Sequence, residues 1–199
     1  MNNVFLCEAV ATRLSHDLIG NIGAVANAVE LLNDCNSDDL DDIRPILDFS
    51  ADVLSKRLKF FRICFGLSNA TVKSADELNK LLIDYCSTLG NPSFPTLVEL
   101  KIETPKVYKL IMPAVMIMAD TLVKGGKISV MQNANGIHIL AESTSALNQT
   151  KLNNIDLVLA NKPIDENPSI YAPLYYLMAY LGDNDVPIKR IENALIIGE

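Results

Sequence analysis

The sequence predicts an α+β protein: an antiparallel helical hairpin over residues 1–68, then an α/β region over residues 69–199. Two observations predict it. From Asn3 to Asp34, Leu6, Val10, Leu14, Leu18, Ile22, Val25, Val29 and Leu32 recur at steps of three and four. At 3.6 residues per turn they fall within an arc of about 160°, the mark of a helix buried on one side. After residue 69 the texture changes to alternating apolar stretches, turn residues and shorter helical runs. That mixture suits a sheet covered by helices.

The elements follow in order. The polar run "NDCNSDDLDD" ends the first helix, and a second carries Ile43, Leu47, Leu54, Leu58, Phe61 and Phe65 as core positions. Asp38 to Asp42 suit its N-terminus through the helix macrodipole. Pro45 fits a first turn better than a helix interior, which leaves the exact start open. "GLSN" at Gly66 to Asn69 is the stop. Two long helices cannot cover their apolar stripes against each other alone, so the hairpin is expected to dimerise into a four-helix bundle. Beyond it, "SADELNKLLIDYCSTL" reads as a helix with Ser74 as N-cap, and "TLVELKIET" alternates like a strand. "VYKLIMPAVMIMADTLVKGG" is an apolar helix closed by Gly125 and Gly126. "KISVMQNANGIHILAES" is a β-hairpin with "NANG" as its turn. Helices over "KLNNIDLVLA" and "SIYAPLYYLMAYLG" precede a terminal strand pair, "IKRIENALIIGE".

Composition narrows the function classes. A net charge of −7 over 199 residues argues against nucleic-acid binding, which wants a basic surface. Cys7, Cys35, Cys64 and Cys86 are widely spaced with no CxxC pair, so buried, reduced thiols are expected rather than disulfides or a zinc site. With two histidines and no clustered ligands, no intrinsic metal site is expected. The N-terminus lacks a secretory pattern, and "LIMPAVMIMA" is too short to span a bilayer. A cytoplasmic protein without membrane contact is the expectation.

One stretch carries chemistry: "RLSHDLIGNIGAVANAVELL", Arg13 to Leu32. His16 lies about 200° around the helix from Leu14, on the face turned out of the bundle. Ala9, Thr12, Gly20, Gly23 and Asn27 share that face, and all are small. A glycine inside a helix costs about 1 kcal/mol relative to alanine. Two of them beside a histidine suggest a face kept flat for another molecule to approach. A neutral imidazole is a good nucleophile near neutral pH and can take up a phosphoryl group. Asp17 is placed to orient the ring, and Arg13 to offer charge to a phosphate. Hairpin geometry brings residues 56–64 of the second helix to the level of His16. That window holds Lys56, Arg57, Lys59 and Arg62, a basic cluster suited to an acidic partner. As single features each of these is more often a plain surface residue; their combination is what signals function.

At these residues the sequence resembles a known family. "SHDLIGNIGAVANAVELL" is similar to the H-box of the dimerisation and phosphotransfer helix of bacterial sensor kinases, closest to the ChpT-type histidine phosphotransferases of alphaproteobacteria. "RLKFFRICFG" is similar to the end of their second helix. Asn21 stands where kinase H-boxes often carry proline. The resemblance implies that His16 is transiently phosphorylated in a two-component phosphorelay and that the chain is a homodimer. Phosphate would come from the receiver domain of a hybrid histidine kinase and leave to the receiver aspartates of response regulators, CtrA and CpdR in that family. The receiver would supply Mg²⁺. Thr12, Gly20, Asn21, Gly23, Asn27, Lys56, Lys59 and Arg62 are then the expected partner-binding positions.

A sensor kinase would follow its hairpin with an ATP-binding Bergerat (GHKL-like) domain. The expected Asn-bearing helix, Val107 to Val123, has neither Asn nor Glu, and no glycine occurs from Ile137 through Leu181. Cradling a triphosphate by backbone amides without glycine is improbable. The α/β region therefore reads as a degenerate Bergerat sandwich that binds no ATP and serves as a docking surface. His138 alternates with Ile137 and Ile139 and reads as a structural strand residue. Two other readings stay open: a sensor histidine kinase with divergent ATP loops, and a non-catalytic scaffold that binds receiver domains.

Overall fold

The computed structural model describes residues 2–34, 40–67, 72–102, 104–134, 136–182 and 186–198. Helix α1 spans Asn3–Asp34 and α2 spans Leu40–Phe65, packed as a hairpin. The predicted turn, with Cys35 and Asp38, and the end of the "GLSN" stop lie outside the described residues. Pro45 is the sixth residue of α2 rather than part of its opening turn. The helix gains that extra turn where Asp41 and Asp42 meet the positive end of the macrodipole. One backbone hydrogen bond is given up at the proline.

Helix α3, Ala75–Cys86, starts as read from the sequence: Ser74 Oγ accepts the Glu77 amide at 3.1 Å. Strands β1 (Gly90–Asn91), β2 (Phe94–Lys101), β3 (Gly126–Asn133), β4 (Gly136–Glu142), β5 (Ile188–Ile191) and β6 (Ala194–Ile197) form one sheet in the order β1-β2-β3-β4-β6-β5. Among the described residues only β2 and β3 pair in parallel, joined through α4, Tyr108–Ala119. A 3₁₀ turn, Pro105–Val107, precedes α4. Helix α5 is Gln149–Leu159, and α6, Ala172–Gly182, follows a 3₁₀ segment, Pro168–Tyr171.

Helix α4 corrects the sequence reading, ending at Ala119 instead of running on to Gly125. Asp120 is its C-cap, and Thr121 Oγ1 donates to the Met118 carbonyl at 2.7 Å. The early stop gives the chain room to turn into β3 beside β2. There Gly125, at φ +61°, lies so close to the backbone of Phe94 and Pro95 that a Cβ would sit 2.5–2.6 Å from their atoms.

One face of the sheet, with Ile128, Val130, Ile139, Ala141 and Leu195, is buried under the helices. The opposite face carries cross-strand ion pairs from Lys127 to Glu99 and Glu142. The base of the hairpin belongs to the same core. Phe60, Phe61, Ile63 and Cys64 of α2 join Leu78, Leu82 and Tyr85 of α3 and Ile111 and Val115 of α4. Lys109 closes this junction by donating to the Cys64 and Gly66 carbonyls at 3.0 and 2.8 Å, capping the C-terminal end of α2. Higher up, Ile19, Ile22, Val29, Phe49 and Leu58 leave large apolar surface exposed.

Candidate functional site

His16 sits mid-way along α1, and its side chain is 82% exposed. Its Nδ1 lies 3.3 Å from Asp17 Oδ1. A carboxylate only accepts, so this contact favours the tautomer with hydrogen on Nδ1 and leaves the Nε2 lone pair free on an exposed ring. Asp17 is itself held. Its Oδ2 accepts from Arg13 Nε at 2.8 Å, one helical turn below. Its backbone carbonyl accepts from Arg57 of α2. Arg57 also donates to Thr88, just past α3, through Nε to Oγ1 at 3.1 Å and Nη2 to the carbonyl at 2.8 Å.

Arg13 is where the structure departs furthest from expectation. The sequence reading gave it the task of meeting a phosphate, but it is buried, 8% exposed. Its Nη1 and Nη2 grip Asp120 at 2.6 and 3.1 Å, and Nη1 also donates to the Ile170 carbonyl at 2.9 Å. Burial works against the guanidinium charge, yet Asp120 and then Asp17 outweigh it and hold the pKa above its usual value. A guanidinium engaged on three sides has no fork left for a phosphate. Beneath this cluster Tyr85 stacks on Phe60 at 3.9 Å between ring centroids. Its buried hydroxyl has no hydrogen-bond partner among the described residues. Burial, and after it the Asp120 charge, pushes that phenol's pKa well up.

The expected partner face is shorter than read from the sequence. Ala9, placed on it by helical spacing, is buried where α1 packs on the 3₁₀ segment and α6, and nearby Phe5 meets Tyr175 edge to face at 5.2 Å. The open face therefore begins near Thr12 and His16 and runs up through Gly20, Gly23 and Asn27. Gly20 and Asn27 are exposed and Gly23 half-buried. A Cβ at either glycine would meet nothing within 4 Å, so close packing or crowding does not explain them. Asn21 lies about 140° around the helix from His16 and is half-buried, off this face. The level predicted for α2 holds, as the contact from Arg57 to Asp17 shows. Lys56 pairs with Asp52 at 2.7 Å, and Lys59 is exposed. Arg62 instead borders an apolar groove of about 560 Å³ with Leu14, Leu18, Leu58 and Phe61.

Of the thiols, Cys64 and Cys86 are buried as expected, but Cys7 is exposed. His138 is half-buried on β4, with Nε2 3.4 Å from Asn133 Nδ2. Among the described residues no three potential metal ligands converge, and no helix is long and apolar enough to cross a membrane. Asp120 was missed from the sequence. The signal was there: one carboxylate closing an otherwise apolar helix needs a buried partner.

Comparison with known proteins bears on this arrangement. No family model matches the chain. It is 28% identical over 124 residues to the protein phosphotransferase ChpT of Brucella abortus (strain 2308), across 61% of this chain and 57% of that protein. The chain resembles a ChpT-type phosphotransferase. The matched stretch thus spans little more than half of the ChpT relative. In fold, the chain is similar to a solved bacterial phosphotransferase with a TM-score of 0.73 and 18% identity, covering 99% of this chain and 96% of that one. That likeness shows the fold, an α+β architecture, for nearly the whole chain.

Proposed function

We propose that the protein is a histidine phosphotransferase of a bacterial phosphorelay, with His16 as the phosphoacceptor. The observation that carries this reading is an 82% exposed imidazole whose Nδ1 faces a fixed carboxylate. The phosphodonor is an aspartyl phosphate on the receiver domain of a hybrid kinase. The Nε2 lone pair of neutral His16 attacks phosphorus. The P–N bond forms as the P–O bond breaks, and its electron pair leaves on the receiver's carboxylate. The Nδ1 proton stays on the ring, where Asp17 offsets the positive charge. The reverse step hands the phosphoryl group to the aspartate of a CtrA- or CpdR-like response regulator. Mg²⁺ for both steps comes with the receiver domain.

The receiver docks on the open face of α1, with Thr12, Gly20, Gly23 and Asn27 giving it close approach and Lys56 and Lys59 nearby on α2. The chain works as a homodimer, two hairpins forming a four-helix bundle around the exposed apolar stripe. The α/β region is a degenerate Bergerat sandwich that binds no ATP. Supporting this are a glycine-free stretch from Ile137 through Leu181 and an α4 without Asn or Glu. The decisive variant is His16→Ala. It should remain folded and dimeric yet accept no phosphate from a phosphorylated receiver domain. Transfer that persists in this variant rejects the reading, and binding of an ATP analogue would favour a kinase instead.

A further inference from the structure

We infer that Asp120, in the α/β region, is a positioning residue for His16, acting through Arg13 and Asp17 across 107 positions of sequence. This role deepens the phosphoacceptor reading and rests on it. Four side chains form one line from a half-buried carboxylate to an exposed ring. Asp120 holds both Nη atoms of Arg13 at 2.6 and 3.1 Å, Arg13 Nε holds Asp17 Oδ2 at 2.8 Å, and Asp17 Oδ1 lies 3.3 Å from His16 Nδ1. The line is needed for a geometric reason. Side chains adjacent on a helix diverge by about 100°, so a free Asp17 has no preference for facing the His16 ring. With Oδ2 fixed by Arg13, Oδ1 is the oxygen left for the ring. Arg13 can fix it only because its own planar fork is immobilised by Asp120 and the Ile170 carbonyl. Stability alone gives little reason to keep such a pair, since a buried ion pair often contributes no more than apolar residues of the same volume. The α/β region thereby sets the tautomer of a histidine it does not touch.

The test reads the tautomer directly by long-range ¹H–¹⁵N NMR on the intact chain. His16 is told from His138, the only other histidine, with His138→Gln. In the wild type, His16 should carry its hydrogen on Nδ1. Asp120→Asn should shift it toward the Nε2–H form. It should also slow phosphoryl acceptance about tenfold or more at an unchanged half-saturating concentration of phosphorylated receiver. Asp120→Glu, which keeps the charge, should retain most of both properties. Asp17→Asn should match Asp120→Asn, and combining the two should add nothing further, the signature of one residue acting through the other. An Nε2–H tautomer in the wild type overturns the inference without any variant having to fold. So does a tautomer unmoved in folded Asp120→Asn, or additive losses in the double variant. A tautomer that shifts in a chain that never takes up phosphate supports the positioning line and rejects the phosphotransfer reading.

Discussion

Gly20 and Gly23 are costly residues for the middle of a helix, and nothing packs against the place where their Cβ atoms would lie. Replacing either with alanine should stabilise the chain by about 1 kcal/mol, read from urea unfolding. The same replacements should slow phosphate uptake from a receiver, because the methyl groups stand on the surface it must approach. A stabilised variant with undiminished transfer would remove the glycines from the docking face. The outward placement of His16, with Asp17 within reach of its ring, was legible at this scale from helical spacing. Arg13 was misjudged because helical spacing says which way a side chain points, not what a segment more than a hundred residues later brings to meet it.

The hairpin shows where periodicity is a sufficient guide. Helix α1 begins and ends where the apolar repeat does, and Ser74 caps α3 as its position before an acidic first turn suggests. Periodicity is silent on boundaries set by the tertiary fold. Helix α4 stops at Ala119 because the crossover to a parallel strand has to begin there, and an unbroken apolar run carries no mark of that. The apolar stripe has its own consequence. Leu58 is 53% exposed and borders the groove formed with Leu14, Leu18 and Phe61. If a second hairpin covers this face, Leu58→Glu should convert a dimer to folded monomers in sedimentation, with little change in circular dichroism. A wild-type chain that is monomeric at high micromolar concentration would contradict the four-helix bundle.

At the scale of the molecule, hairpin and sheet are tied by a shared core, by Lys109 capping α2 and by the Arg13–Asp120 pair. A rigid junction suits a protein in which the second region sets the geometry of a histidine on the first. The same burial makes stability pH-dependent. Burial pushes the Cys86 thiol up to about 12, and it pushes Cys64 and Tyr85 in the same direction. In the unfolded chain a thiol ionises near pH 8.5. Above that the unfolded state has lost protons that the folded state keeps, so stability is complete below about pH 8.5 and falls as pH rises toward the folded value. Urea titrations in steps above about pH 8.5 should show this fall, and Cys86→Ala should lessen its slope, Cys64 still contributing; a level wild-type profile would contradict the buried assignment.

The claim on which the rest depends is that phosphate resides on His16. The most direct measurement is to incubate the purified chain with a phosphorylated receiver domain, then map the label by mass spectrometry under neutral conditions. The expected result is a single acid-labile, base-stable phosphoryl group on His16, released when an unphosphorylated receiver is added. Acid-stable label, label on another residue, or no label on a folded chain would contradict it.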